Sequence, residues 1–257
     1  MKRIKILFIC LLTGLMVTST FAQRFIRTDT ELKANSDLWQ VSRKGISAIG
    51  KYQFGPYKVV SGRAGWAKEN FKRGIFSDDV KITFEQKKSF VFVSNETDTI
   101  NVNSSLSVLS EMTDKNPLVF RKLFGWHDYE VKQSKETFMA SFDIKNDSTA
   151  WSLVLVYPVP MQDEYDMPIW DMKTEFYGIL TNGLINIEIK RVFEQENGKT
   201  SILNPIFGYE FFQDGKSIAA LQDIPIHKMF VWIRKDLDEN LKLIISAGIS
   251  AILIGKE

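Results

Sequence analysis

Cysteine is almost absent from this chain. Cys10 is the single example among 257 residues, so no intramolecular disulfide can form. Histidine is nearly as scarce. His127 and His227 are the only two, neither stands in an H-E-x-x-H pattern, and a zinc site would have to lean on carboxylates. Charge of one sign is lacking as well, with 33 Lys plus Arg against 31 Asp plus Glu. A near-neutral surface gives no electrostatic footprint for nucleic acid. Glycine-rich phosphate loops are missing: "GKT" at 198–200 has Phe193 where the upstream glycine belongs. "GISAIG" at 45–50 misses the nucleophile elbow because Ile49 replaces the second glycine, which that tight turn requires, so Ser47 is not read as a nucleophile. No catalytic residue, metal site or cofactor is assigned.

What is present begins with "MKRIKILFICLLTGLMVTSTFAQ". Lys2, Arg3 and Lys5 precede an apolar run from Ile6 to Val17, and small residues lead to Ala22. This is the three-part pattern of a secretory signal covering residues 1–22. The run is shorter than the roughly 20 residues of a spanning helix, so a retained anchor is the poorer reading. Cys10 lies inside the signal, which leaves the mature chain free of cysteine and suggests export from a bacterium, to the periplasm or beyond. Without the signal, Lys plus Arg falls to 30 against 31 acids, a formal charge of −1 over 235 residues. That length suits one large domain.

Residues 23–37 are polar and without period, and are read as a flexible arm. From Leu38 to the C-terminus the chain reads as one β-rich domain. "VKITFEQ" (80–86), "SFVFVSN" (89–95) and "DTINVNS" (98–104) are short, β-branched and aromatic, as in a meander. "ETFMASFDI" (136–144) and "AWSLVLVYP" (150–158) flank a polar turn. In "GLINIEIKRVFEQ" (183–195), Ile185, Ile187 and Ile189 alternate with Leu184, Asn186 and Glu188, an apolar face against a mainly polar one. Asp214-Gly215 between two strand-like runs marks a type I′ hairpin. Short helices are expected at "SSLSVLSEM" (104–112), from the spacing of Leu106, Leu109 and Met112, and more weakly at "WAKENFKRG" (66–74).

The chain closes on "DLDENLKLIISAGISAILIGKE", which predicts a helix over about 237–254 with acidic residues at its start. Glu239, Lys242, Ser246 and Ser250 form one narrow stripe, and the rest of the circumference is apolar. Leu241 to Ile254 reaches only about 21 Å, too short to span a bilayer, and the stripe is too thin for an interfacial helix. Such a helix needs an apolar wall around it, which a curled sheet supplies.

The hairpin "GYEFFQDGKSIAALQ" followed by "KMFVWIRKDLDENLKLIISAGISAILI" resembles the Tubby-like barrel of tubby proteins, phospholipid scramblases and LURP-one proteins. That resemblance covers about the last third of the chain and implies a closed antiparallel barrel around a hydrophobic C-terminal helix. It carries over no ligand residue. The expected fold is therefore mainly β, a closed or strongly curled antiparallel barrel with a buried C-terminal helix; the alternative is an antiparallel sandwich with the helix on one face.

Two patches are candidates for function. Arg63, Lys68, Lys72 and Arg73 surround Trp66, a composition suited to a lipid headgroup or polyanion. Asp163, Glu164, Tyr165, Asp166, Trp170 and Asp171 gather in a proline-rich loop that offers carboxylates and stacking platforms for a glycan. The expected function is an exported envelope protein that binds a lipid-like or small amphipathic ligand, or a partner protein, without catalysis. The alternative is an envelope glycan hydrolase using the 163–171 carboxylates.

Overall fold

The computed structural model describes residues 25–45, 49–73, 79–94, 98–115, 129–144, 150–158, 176–200, 207–223 and 228–255. The signal-like segment, both histidines, Ser47 and the 163–171 loop lie outside the described residues. After a short helix α1 (Thr30–Asn35) come β1 (Ser36–Gln40), β2 (Ser42–Lys44), β3 (Lys51–Phe54) and four long strands. These are β4 (Tyr57–Arg73), β5 (Asp79–Ser94), β6 (Asp98–Asp114) and β7 (Tyr129–Ile144). Then follow β8 (Trp151–Pro158), β9 (Tyr177–Thr181), β10 (Asn186–Val192), β11 (Gly208–Gln213), β12 (Lys216–Gln222) and β13 (Phe230–Arg234). The chain ends on helix α2 (Glu239–Gly255).

The 13 strands of the described residues belong to one antiparallel sheet, in the order β1-β13-β12-β11-β10-β9-β8-β7-β6-β5-β4-β3-β2. The two end strands are consecutive in sequence and separated only by Val41, so the sheet returns on itself and nearly closes. One extended segment pairs with β13 through its first half and with β3 through its second. Val41 N donates to the Met229 carbonyl at 2.9 Å across that junction. The sandwich alternative is thereby corrected: a single curled sheet surrounds the helix, and no second sheet faces it among the described residues.

Helix α2 is the core of the barrel. Leu241 and every residue from Leu243 to Ile254 are buried, facing inward side chains such as Phe92, Val102, Leu153, Leu180 and Ile187. Asp238 Oδ1 accepts from Leu241 N at 2.8 Å and caps the first turn. At the other end a lysine from the wall, Lys88 of β5, donates from Nζ to the Ile254 carbonyl at 2.8 Å. It sets a cation on the negative end of the helix dipole. Packing is close: a Cβ on Gly255 would meet Phe138 at 2.5 Å, and one on Gly248 would touch Leu180 at 3.4 Å.

Several expectations change. Residues 25–37 do not form a loose arm: Ile26 and Leu32 are fully buried, Asp29 caps α1, and Ile26 pairs with Gln195. The segments 66–74 and 104–112 are strand rather than helix where described, as parts of β4 and β6. In β6, Leu106, Val108, Ser110 and Met112 share a face, and pairing to β5 and β7 along its length outweighs the three-residue spacing. The runs 80–86 and 89–95 form one strand, β5, through residue 94, because the lysines between them continue the ladder. The turn at Asp214-Gly215 is as expected, with φ of 50° and 77°.

Candidate functional site: an outer groove across the long strands

The strands β4 to β7 are 16 or 17 residues long, roughly 55 Å of chain. Helix α2, with 17 residues, covers only about 25 Å. The long strands therefore continue past the helix as a wing. Alternation divides its two faces. Lys88 and Phe90 of β5 point into the barrel, so Lys87, Glu85 and Lys81 point outward. Their register partners follow them, with Lys68 opposite Glu85 and Lys72 opposite Lys81.

Where β4 crosses the end of the barrel it carries a bulge, with Gly65 and Trp66 opposing the single residue Lys87. Glycine is needed here because a Cβ would lie 2.9 Å from the Lys87 carbonyl oxygen. The bulge leaves Trp66 97% exposed. Beside it a groove of about 500 Å³ runs across the outside of the sheet, bounded by Arg63, Gly65, Lys87 and Met139. A second depression of about 380 Å³ shares Arg63, Ser89 and Asn103 and extends the groove toward Ser61 and Asn101.

The groove has a simple sequence origin. Arg63, Ser89, Asn103, Ser141 and Ser152 are successive register partners on five adjacent strands. After Arg63 the outward side chains are short, so the sheet surface drops between the walls. The groups are also available: Arg63 and Lys87 make no ion pair, and Ser89, Asn103 and Ser152 make no side-chain hydrogen bond, among the described residues. Ser141 Oγ reaches the Asn103 carbonyl only at 3.5 Å.

The structure regroups the basic patch read from sequence. Arg63, Lys68 and Lys72 share the outer face, and Trp66 stands on the bulge between them. Arg73 does not join them: it pairs with Val80, a residue of the inner face, as Phe71 pairs with Ile82. Lys87, Asn103 and Ser141 are additions that strand register alone brings in. Periodicity would have revealed them only with the pairing of four strands known.

A second polar cluster lies inside the barrel near the C-terminal end of α2. The Arg191 guanidinium sits over Phe176 at 5.0 Å and Phe193 at 5.1 Å, and the Tyr157 and Tyr209 hydroxyls are 3.1 Å apart. Burial lowers the Arg191 pKa and raises that of Tyr157 well above 10.0, with the neighbouring Tyr209 adding to the rise. Nothing in the sequence reading pointed to this cluster. The Phe176 ring packs against both tyrosines, 5.3 Å from Tyr157 and 6.1 Å from Tyr209.

Among the described residues, no group of three or more His, Cys, Asp or Glu stands where it could hold a metal, and no helix is long and apolar enough to cross a membrane. Compared with protein-family models, curated proteins and solved structures, the chain matches none of them.

Proposed function

We propose that this chain is an exported cell-envelope protein that binds a lipid-like or other amphipathic anionic ligand on its outer face, without catalysis. The observation that carries the reading is Trp66, 97% exposed on a bulge between Arg63 and Lys68 at the edge of the groove. An aromatic ring held in solvent beside cations that make no ion pair among the described residues is suited to contact a ligand with both an apolar part and a negative charge. The filled interior supports an outside site, because α2 occupies the space in which small barrels otherwise hold a ligand. Membership of the Tubby-like group belongs to the same proposal, supported by the succession of hairpin, last strand and enclosed helix.

Flotation with phosphatidylglycerol vesicles tests the reading. The parent protein is expected to float with anionic vesicles and not with phosphatidylcholine vesicles, and to release them as salt rises. Trp66→Ala and the Arg63→Ala/Lys68→Ala/Lys72→Ala triple variant should each weaken the association. A parent that binds neither anionic vesicles nor any amphipathic anion refutes it.

A further inference from the structure

We infer that the groove takes a linear acidic oligosaccharide, free or as the head of a lipid, lying across β4 to β8 at right angles to the strands; this rests on the binding reading above and specifies its ligand. The spacing of the groove is the first reason. Arg63, Ser89, Asn103, Ser141 and Ser152 follow one another across the ladder, so their backbones repeat about every 4.8 Å and span about 19 Å. That repeat is close to the length of one pyranose in a linear chain.

The chemistry of the row is the second reason. Serine hydroxyls and an asparagine amide both donate and accept, which is what a ring carrying hydroxyls on adjacent carbons requires. Those of Ser89, Asn103 and Ser152 are not spent on internal hydrogen bonds among the described residues. Arg63 and Lys87 stand at one end with no ion pair among the described residues, and a carboxylate or phosphate on the sugar supplies the missing charge. The exposed Trp66 ring beside them offers a flat apolar face for a sugar ring.

Other occupants fit less well. An added peptide strand requires a free sheet edge, but the groove crosses interior strands whose backbone groups are already paired. A bare bilayer surface has no use for a recessed row of hydroxyls, and a groove that crosses from Arg63 to Ser152 over five strands favours an extended ligand.

An array of linear oligosaccharides bearing uronic acids or phosphates, printed beside their neutral counterparts, tests this with the full-length protein. Capture confined to acidic chains is expected, with at least a tenfold loss of affinity in Asn103→Trp, which fills the groove, and in Arg63→Ala. Thermal melts matching the parent's certify that each variant folds, and Ser141→Tyr replaces Asn103→Trp if it does not. Vesicles carrying the acidic sugar on a lipid separate the sources: tighter binding than to the free chain identifies a lipid head, equal binding a free glycan. The inference is overturned if neutral chains bind equally, if Asn103→Trp binds acidic chains like the parent, or if no saccharide is captured. In the last case continued binding of phosphatidylglycerol vesicles leaves the broader reading standing, and its loss removes both.

Discussion

Lys88 Nζ and the Ile254 carbonyl oxygen meet at 2.8 Å inside the barrel, joining the wall to the end of the helix it encloses. Lys88 is 6% exposed, so its ammonium has left water for a helix C-terminus whose last carbonyls lack intrahelical partners. A charged hydrogen bond of this kind contributes about 1.5–3 kcal/mol. Lys88→Met keeps most of the stem's packing and removes the cation. Urea unfolding should show a loss of about 2 kcal/mol with an unchanged m-value. Stability equal to the parent's would mean that the desolvation cost of the charge already cancels the bond.

Ser246 and Ser250 lie on the same helix and are fully buried, and neither Oγ has a hydrogen-bond partner among the described residues. A hydroxyl taken from water without a partner is a net cost, and serine is a poorer helix former than alanine. Ser250→Ala is therefore expected to raise stability by about 0.5–1.5 kcal/mol. Ser246 differs, because it lies beside Tyr57 and opposes the upward effect of burial on the Tyr57 pKa. Ser246→Ala should gain less, and thermal melts of the two variants will separate them.

These contacts show where sequence reading succeeds and where it stops. The alternation of Ile185, Ile187 and Ile189 and the Asp214-Gly215 turn are local signals, and the terminal helix was legible because an all-round apolar helix must be enclosed. Lys87-Lys88 was misleading. Two adjacent lysines between apolar runs look like a turn, yet one faces solvent and the other crosses the core to cap a helix 166 residues away. The strand at 66–73 was hidden for a related reason. Ala, Lys and Glu favour a helix in isolation, while fourteen register partners along β4 and β5 hold the segment extended. The groove was the least legible feature, since no single strand contains more than a few of its residues.

Alkaline pH should destabilise the protein through buried tyrosines. Burial raises the pKa of Tyr157 well above 10.0 and that of Tyr57 above the same value. A tyrosine whose folded pKa exceeds its unfolded value binds its proton more tightly when folded. Its contribution is fully present below about pH 10 and is lost as pH rises through the folded value. Urea stability measured from pH 8 to 11 should fall at the alkaline end. Tyr157→Phe should make that fall shallower, although it gives up the 3.1 Å bond to Tyr209 and starts from a lower plateau. An unchanged slope would exclude Tyr157 as its source.

Removal of α2 should abolish folding. Leu241 and the continuous run from Leu243 to Ile254 are buried by the sheet, and without them the inward faces of β4 to β13 would enclose an empty apolar space. A chain ending at Asp236 is expected to show no cooperative thermal transition and to bind hydrophobic dyes. Ala251→Lys should approach the same state, since Ala251 is fully buried and an unpaired ammonium there costs several kcal/mol. A truncated chain that melts cooperatively would show that the sheet closes without its helix.

Gly65 links the fold to the candidate site. Its missing Cβ lets β4 approach the Lys87 carbonyl, where a methyl group would stand at 2.9 Å, closer than real Cβ contacts allow, and that oxygen is backbone that cannot swing aside. Gly65→Val should therefore shift the bulge and cost about 1–3 kcal/mol, and the displacement should reach the adjacent Trp66. Trp66→Phe in the parent and in Gly65→Val isolates the fluorescence of that one ring among the six tryptophans. The expected result is a changed emission or quenching of Trp66 together with weaker capture of the acidic ligand, while Gly183→Ala, at a turn with φ of 87° and open space around it, lowers stability without touching capture. If Gly65→Val leaves both the Trp66 signal and ligand capture at parent levels, the bulge does not position the site.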